Sequence, residues 1–354
     1  MNFFWALCLT GILRRVSASE DCDCGYAAKV GNSRHVFTDL IETDFGKVAS
    51  LSRNADWFSP EFNRTGDRVR GPLGEQFSRN NVDTVVEGSG SDQAPGLRMF
   101  VRNSTVDGMV PVAEVDSTRQ EIQWGSFRVS MQVPDVAGTC AAFFWYHNDT
   151  QEIDLEFLTK EFDPGNNTFP LNLVVHSLES QADDYDPVEA GSFVKVQLPF
   201  NPTTAFHEYR FDYLPGRIIF YADGDTIAEM DGPGVPTAGG HLILQHWSSG
   251  NPLWSGGPPT EDAVLNIRYV KAYFNSSSVE RREELARGCT DSATQNVCDI
   301  PNDEDFFFND QDSDDQGGQN GGDDGGPEDS TNHLYPLSTW GILAASLAAT
   351  FCYV

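Results

Sequence analysis

The sequence predicts an all-β protein whose antiparallel sheets pack as a sandwich. From Val36 to Phe274, apolar residues occur in short runs of β-branched and aromatic type, and Gly, Pro, Asn and Asp separate these runs. Many runs alternate apolar with polar residues, as half-buried strands do. Because no sustained alternation of strands with helical segments is visible, a parallel α/β sheet is excluded.

The predicted strands follow one another at short intervals along the chain. Asp223-Gly224 predicts a tight hairpin turn between two of them. A helical pattern is confined to Ser278 to Arg287. The predicted strands are Ser126 to Val133, Cys140 to Tyr146, Ile153 to Leu158, Leu171 to His176, Phe193 to Leu198, Glu208 to Tyr213, Arg217 to Ala222, His241 to Gln245 and Val264 to Phe274.

Composition narrows the classes of function. The 354 residues include 53 acids and 23 bases, which gives a formal net charge of −30. A protein of that charge repels phosphate backbones, so a nucleic-acid partner is excluded. Aromatic residues make up 12% of the chain, which is too many for a disordered protein.

The start of the chain predicts export. Residues Asn2 to Leu13 are mostly apolar and Val16-Ser17-Ala18 are small, which indicates a signal peptide over residues 1–18, although Arg14 and Arg15 interrupt the usual pattern. Residues 19–298 are the predicted folded domain. Candidate N-glycosylation sites in N-x-S/T sequons are Asn63, Asn103, Asn148, Asn166 and Asn275.

The C-terminal part predicts a spacer and an anchor. Residues 299–333 are rich in Asp and Gly, a composition that predicts a disordered spacer. Residues 334–354 contain the short apolar run Leu337 to Val354, which has no basic flank and follows small residues. This pattern predicts a glycolipid (GPI) anchor signal, with a tail-anchored helix as the alternative.

Five cysteines remain when both terminal segments are set aside. Cys289 and Cys298 are the easiest local pair, and Cys22 or Cys24 could join the chain start to Cys140 or to the C-terminal edge. The odd number leaves one thiol free. No spacing typical of a metal site is present.

The most informative segment is Glu152-Ile153-Asp154-Leu155-Glu156. Side chains alternate between the faces of a strand, so the three acids share one face while Ile153 and Leu155 enter the core. The alternative interpretation is an acidic strand that faces water. Aligned like charges repel, however, and glycoside hydrolysis requires paired carboxyl groups of different protonation.

This segment resembles the E-x-D-x-E signature of glycoside hydrolase family 16, in the concanavalin A-like lectin/glucanase superfamily. The segments His246 to Pro252 and Trp254 to Pro259 resemble the fungal branch of that family. The resemblance covers the region from Asp39 to Phe274. Other matching segments are Gly125 to Arg128, Gly138 to Trp145, Phe206 to Tyr209, Pro215 to Gly224, His246 to Pro252 and Trp254 to Pro259.

The resemblance implies a β-jelly-roll sandwich with an open groove and a retaining mechanism. By position, Glu152 matches the nucleophile, Asp154 the assisting acid and Glu156 the general acid/base. No cofactor and no catalytic metal are predicted. Tyr213 departs from the family pattern, where Trp is common. Candidate substrate-binding residues, each of which could instead serve in packing, are Trp124, Trp145, His176, Trp247 and Trp254.

The sequence therefore predicts a secreted, GPI-anchored, monomeric glycosidase that acts on a β-linked glucan of the cell wall. A transglycosylase with the same carboxyl groups is one alternative. A carbohydrate-binding wall protein without turnover is the other, and the presence of all three acids argues against it.

Overall fold

A computed structural model describes residues 22–31, 33–178, 192–289 and 296–311 of the chain. The predicted signal peptide, the predicted anchor signal and residues 312–333 of the predicted spacer lie outside the described residues. No helix among the described residues combines the length and the apolar composition that crossing a bilayer requires.

The described residues are mostly in strands, as the sequence predicts, and each predicted strand is found within four residues of its expected bounds. The predicted helix is also confirmed. The strands are β1 Gly25–Val30, β2 Ser33–Phe37, β3 Asp39–Asp44, β4 Trp57–Phe58, β5 Phe62–Arg64, β6 Gly74–Phe77, β7 Val82–Val85, β8 Gly96–Val101, β9 Met109–Ser117, β10 Ile122–Gln132, β11 Cys140–Asn148, β12 Gln151–Leu158, β13 Pro170–His176, β14 Phe193–Gln197, β15 His207–Leu214, β16 Arg217–Ala222, β17 Asp225–Asp231, β18 His241–Trp247, β19 Ala263–Ser276 and β20 Val297–Asp299. The α-helices are α1 Val279–Gly288 and α2 Phe308–Gln311, and the 3-10 helices are Phe45–Lys47, Leu51–Arg53, Arg79–Asn81, Thr159–Glu161 and Pro164–Asn166.

Two large sheets form the sandwich. The front sheet has the order β14-β13-β12-β11-β18-β9-β6-β5, with β4 beside β9. The back sheet has the order β17-β16-β15-β10-β19-β8-β7, with β3 beside β19. Both sheets are antiparallel apart from the parallel pair β6 and β9. The predicted β-jelly-roll sandwich is therefore confirmed.

The main core fills the space between the two sheets. Ile153 and Leu155 of β12 enter this core, as the alternating sequence predicts, and neither is exposed. Phe143 of the front sheet and Phe211 of the back sheet meet across it, with ring centroids 5.4 Å apart. Each such fully buried side chain stabilises the fold by about 1.5–3 kcal/mol.

The two ends of the domain are joined by disulfides. The bonds are Cys22–Cys298 and Cys24–Cys289, and Cys140 is a buried free thiol. The predicted local pair Cys289–Cys298 is therefore wrong. The reason is that β20 pairs in parallel with β1, which places the chain start beside Cys298.

Residues 299–308 also depart from the prediction, which placed them in a disordered spacer. The Lys271 ammonium donates hydrogen bonds to the backbone oxygens of Asp303, Glu304 and Phe306, at 3.2, 2.6 and 2.8 Å. The Phe307 ring is only 7% exposed and meets the Tyr269 ring edge-on. The aromatic residues supply the apolar contacts that the surrounding Asp-rich composition lacks, so this segment packs on the back sheet.

Candidate active site

Strand β12 carries three carboxyl groups on the face of the front sheet that points away from the main core. Glu152, Asp154 and Glu156 occupy alternate positions, and Ile153 and Leu155 between them face inward. The three acids are nevertheless buried, with exposed fractions of 3%, 4% and 6%. Acids that merely faced water would be exposed, so the burial argues against a solvated acidic strand.

Apolar side chains surround the carboxyl groups on this outer face. A second hydrophobic cluster covers it and includes Phe144 of β11 and Ile243 of β18. The medium around the acids is therefore poorly polar, which strengthens electrostatic interactions between them. The cross-strand partners are Tyr146 and His176 for Glu152, Phe144 and Val174 for Asp154, and Ala142 and Asn172 for Glu156.

The environment favours the protonated form of two of the acids. Burial raises the pKa of Glu152 well above its ordinary value, and the charge of Asp154 and a hydrogen bond between the two groups raise it further. Burial and the charge of Glu156 likewise raise the pKa of Asp154. Glu152 and Asp154 are close enough to share a proton, so they titrate as a pair.

His176 of β13, a candidate substrate-binding residue in the sequence, lies beside the carboxyl groups. Its Nε2 lies 3.5 Å from Oδ2 of Asp154. Burial lowers the pKa of His176 to about 4, so at neutral pH this contact joins an uncharged ring to the carboxyl group. Ligand atoms of Glu152, Asp154 and His176 lie within 4.8 Å of one another, so among the described residues these three could also hold a metal ion.

The free thiol lies at the other end of the acidic row. Cys140 precedes Ala142 on β11, and its Sγ donates a hydrogen bond of 3.4 Å to Oε1 of Glu156. The Cys140 side chain is fully buried, and burial raises the pKa of its thiol well above the ordinary value. The thiol therefore remains protonated and acts as a weak hydrogen-bond donor to Glu156.

Two of the predicted sugar platforms do not reach the carboxyl groups. Trp145 is fully buried between the sheets, and its indole nitrogen donates to the backbone oxygen of Ile122 at 2.9 Å. Its ring packs against Tyr213, so the prediction that Trp145 binds substrate is wrong. Trp124 belongs to the back sheet and is half-buried against the main core.

The other two tryptophans, Trp247 and Trp254, belong to the second hydrophobic cluster, which lies on the outer face with Phe144 and Ile243. Trp247 is opposite Cys140 in the register of β18 and β11, and it is 2% exposed. Trp254 is buried to the same extent and lies 6.4 Å from Phe193, measured between ring centroids. The structure thus brings Trp247 and Trp254, but not Trp145, to the face that carries the acids.

A second group of buried charges on the outer face was missed in the sequence. Arg64 lies 3.8 Å from carboxylate oxygens of both Glu75 and Glu114. The Gln245 amide donates to Glu114, and Asp116 lies two residues along β9. Burial raises the pKa of Glu75 to about 7, against the opposing effect of the Arg64 charge. Burial also raises the pKa values of Glu114 and Asp116.

The strand register aligns this second group with the first. Glu156 is opposite Ala142, which is opposite Gln245, which in turn is opposite Glu114. Glu156, Gln245 and Glu114 thus lie in one line across the sheet from β12 to β9, with Ala142 of β11 between the first two. The sequence does contain a signal for this group, because Glu114 and Asp116 alternate with apolar residues as Glu152 and Asp154 do. Their partner Arg64 precedes Glu114 by 50 residues, so the local pattern does not reveal the contact.

The predicted glycosylation sites lie mostly on the surface. The Asn275 side chain is half-buried, and its Oδ1 accepts a hydrogen bond of 3.2 Å from the backbone N–H of Thr38. That sequon is therefore the least accessible. The exposed asparagines are Asn63, Asn103, Asn148 and Asn166.

The chain is thus an antiparallel β-sandwich protein with buried carboxyl groups on the outer face of one sheet. Residues 100–264 match the family model described as glycosyl hydrolases family 16. This match covers slightly less than half of the chain and agrees with the resemblance that the sequence motifs carry.

Similar proteins agree with this assignment. A beta-glucanase of Paenibacillus polymyxa is 29% identical over 139 residues, which is 38% of this chain and 52% of the relative. Congo red hypersensitive protein 1 of Saccharomyces cerevisiae is 25% identical over 161 residues, 42% of this chain and 29% of the relative. The chain thus spans about half, or less, of the length of the curated relatives it matches.

Solved structures show the same fold. The beta-glucanase of Bacillus licheniformis superposes with a TM-score of 0.51 at 17% sequence identity. The superposition covers 66% of this chain and 97% of that structure.

Proposed function

We propose that the protein is a retaining glycoside hydrolase that cleaves a β-linked glucan of the cell wall. The observation that carries this proposal is the burial of Glu152, Asp154 and Glu156 on one face of β12, where mutual repulsion and burial raise the pKa values of the first two. Retaining glycosidases need an ionised nucleophile and a protonated acid, and crowded carboxyl groups favour a set in which some members are ionised and others hold a proton.

In the first step, the Glu152 carboxylate attacks the anomeric carbon while Glu156 gives its proton to the departing sugar oxygen. The raised pKa of Glu152 makes it a poor nucleophile when it holds the proton. The hydrogen bond between the two groups allows the shared proton to move to Asp154, which leaves Glu152 ionised and able to attack. Asp154 is therefore the assisting group.

In the second step, Glu156 takes a proton from water, which attacks the same carbon and releases Glu152. Two displacements on one carbon restore the original configuration. If the hydroxyl group of another sugar takes the place of water, the same residues perform transglycosylation. Measurement of products with and without added oligosaccharide acceptors distinguishes the two reactions.

The proposed substrate class rests on the relatives and on the outer face. Several relatives are named beta-glucanase. Trp247 and Trp254 are each 2% exposed and form the layer directly beneath the outer face, where Gln245 and Glu114 lie in line with Glu156. Sugar rings have apolar faces and hydroxyl rims, so a face built on both apolar and polar groups is compatible with a neutral glucan.

Substitution of the carboxyl groups tests the proposal. We expect Glu152→Gln to lower kcat on the preferred β-glucan by several orders of magnitude while the fold is kept, because the covalent intermediate cannot form. Glu156→Ala should regain turnover of an activated aryl glycoside when azide is added, since azide replaces the water that Glu156 activates. The matched control is Glu229→Gln, a substitution of an exposed acid on β17 that should keep normal activity. Normal turnover of Glu152→Gln would contradict the assignment.

We further propose that the protein is exported and held at the cell surface by a GPI anchor. The two disulfides support an oxidising compartment, and four exposed sequons are accessible for N-glycosylation. Deletion of Leu334 to Val354 should release the protein into the medium, and phospholipase treatment of cells should release the full-length form. Mature protein that still contains peptides from Leu337 onward would contradict the anchor and support a membrane helix.

A further inference from the structure

A cavity of about 540 Å³ lies away from the carboxyl groups, beside strand β4. One wall is formed by Ala49 to Ser52, Asn54 and Trp57 to Ser59, and another by Val82 to Thr84 of β7, the edge strand of the back sheet. We call this space the edge cavity. Its volume falls within the range of sites that bind small molecules or segments of a polymer.

The lining of the edge cavity combines an aromatic ring with neutral polar groups. Phe58 is 42% exposed at the cavity, an unusual exposure for a ring among the described residues. Ser50 and Ser52 contribute hydroxyl groups, and their Oγ atoms lie 2.9 Å apart. Arg79 and Asp83 bring one charge of each sign, so the lining has no net charge. A neutral ligand with an apolar face and many hydroxyl groups, such as a sugar, matches this chemistry.

The wall of the cavity is held in place by hydrogen bonds. Oδ1 of Asn54 accepts from the backbone N–H groups of Asp56 and Trp57, at 2.9 and 3.0 Å. Nε of Arg79 donates to the backbone oxygen of Ser59 at 3.0 Å, which ties the guanidinium group to the segment that carries the aromatic ring. A preformed wall costs little conformational entropy when a ligand binds.

The register connects the edge cavity to the candidate active site. Phe58 is opposite Asp116, which is opposite Ile243, which is opposite Phe144, which is opposite Asp154. Paired residues share a sheet face, so Phe58 lies on the outer face, four strands from the acids. At about 4.8 Å for each strand, the separation is roughly 19 Å across the sheet, a distance that a polysaccharide can span and a single sugar cannot.

We propose that the edge cavity is a second carbohydrate-binding site, which holds a remote segment of the same glucan chain with the Phe58 ring as its platform. This inference rests on the proposed function, because it takes the ligand to be the substrate polymer. The cavity makes no contact with the reacting sugar, so it acts on the binding of long chains and leaves the chemistry unchanged.

Binding of oligosaccharides of increasing length tests the inference. In the Glu152→Gln background, calorimetry with β-glucan oligosaccharides should show a rise in affinity once the chain is long enough to reach from β12 to Phe58. Adding Phe58→Ala should weaken binding of the long oligosaccharides roughly three- to tenfold, the loss expected for one stacking ring, and leave the short ones unchanged. Phe58→Tyr keeps the ring and should bind long chains as tightly as the parent.

Two further measurements separate the possible failures. The control Val279→Ala removes another exposed apolar side chain, on α1, and should change no affinity. In the active enzyme, Phe58→Ala should raise KM for the polymer but leave kcat/KM for a short aryl glycoside unchanged. If Phe58→Ala binds long and short oligosaccharides as the parent does, the inference is overturned while the proposed function stands. If the Glu152→Gln protein binds no β-glucan oligosaccharide of any length, the proposed substrate is wrong and the inference fails with it.

Discussion

In the proposed mechanism, Glu152 and Asp154 have different roles although both are buried carboxyl groups on the same strand. Only Glu152 is placed by the family resemblance to form a covalent bond, whereas Asp154 has a neutral imidazole at 3.5 Å and shares a proton with Glu152. The pair therefore separates two tasks, attack on the sugar and storage of a proton. The two roles can be distinguished by the dependence of kcat on pH, because a change at Asp154 alters the pH at which Glu152 ionises.

Asp154→Asn should reduce kcat less than Glu152→Gln does and should move the acidic limb of the pH profile to lower pH. The charge of Asp154 raises the pKa of Glu152, so a neutral amide allows Glu152 to ionise at a lower pH. The measurement is kcat as a function of pH for the wild type and the variant. An unchanged acidic limb, or a loss equal to that of Glu152→Gln, would contradict the assisting role.

At the scale of elements, the two disulfides close nested loops and their effects should not be additive. Each bond alone closes a loop of more than 260 residues, with sequence separations of 276 and 265. Once one bond is present, the second adds only a small ring through the stretches Cys22 to Cys24 and Cys289 to Cys298. The chain-entropy cost avoided by the second bond is therefore much smaller.

Replacing Cys24 and Cys289 by Ser should lower the free energy of unfolding by about 3 kcal/mol, the value for a loop of about 15 residues. Removing both disulfides should cost more than the sum of the two separate losses. Denaturant unfolding measures these differences, and kcat on the β-glucan should persist in the folded single-bond variants because the bonds lie away from β12. Additive losses would show that the bonds act independently.

Sequence patterns predict an element well where apolar and polar residues alternate, and poorly where they do not. The alternation in β12 correctly predicts which residues face the core. In the neighbouring run Phe143 to Tyr146 every residue is apolar, so the pattern cannot tell that Trp145 faces inward and Phe144 outward. The ring of Trp145 is therefore wrongly predicted to bind sugar.

Contacts between distant segments explain the remaining differences. The packing of residues 299–308 depends on Lys271, whose ammonium binds three backbone oxygens of that segment. Composition averaged over the whole spacer conceals the three consecutive phenylalanines that make the contact. In the same way, the group around Arg64 forms only when β5, β6 and β9 come together, which no local pattern predicts.

At the scale of the whole molecule, buried ionisable groups set the dependence of stability on pH. Burial lowers the pKa values of His176 and His246 to about 4, so these two residues favour the folded state less as the pH falls from 6.5 towards 4. Buried acids with raised pKa values, such as Glu75, instead favour the folded state less as the pH rises. The folded protein should therefore be most stable in mildly acidic solution, where the histidines are neutral and the buried acids are still protonated.

Glu75→Gln tests the contribution of the acids to this balance. Burial raises the pKa of Glu75 from 4.5 to about 7, so between these values the folded protein holds a proton that the unfolded chain has lost. Stability then falls as the pH rises through this window, because the folded state binds more protons. A shift of this size corresponds to roughly 3 kcal/mol. Glutamine resembles the protonated acid, so Glu75→Gln should remove that part of the decline.

The measurement is the free energy of unfolding at several values between pH 4.5 and 8. We expect the wild type and Glu75→Gln to have similar stability near pH 4.5 and to diverge above it, with the variant more stable at pH 8. The control Glu229→Gln alters an exposed acid that is paired with Arg217, and its difference from the wild type should not grow with pH in this window. Parallel curves for the wild type and Glu75→Gln would mean that the Arg64 charge keeps Glu75 ionised in the folded protein.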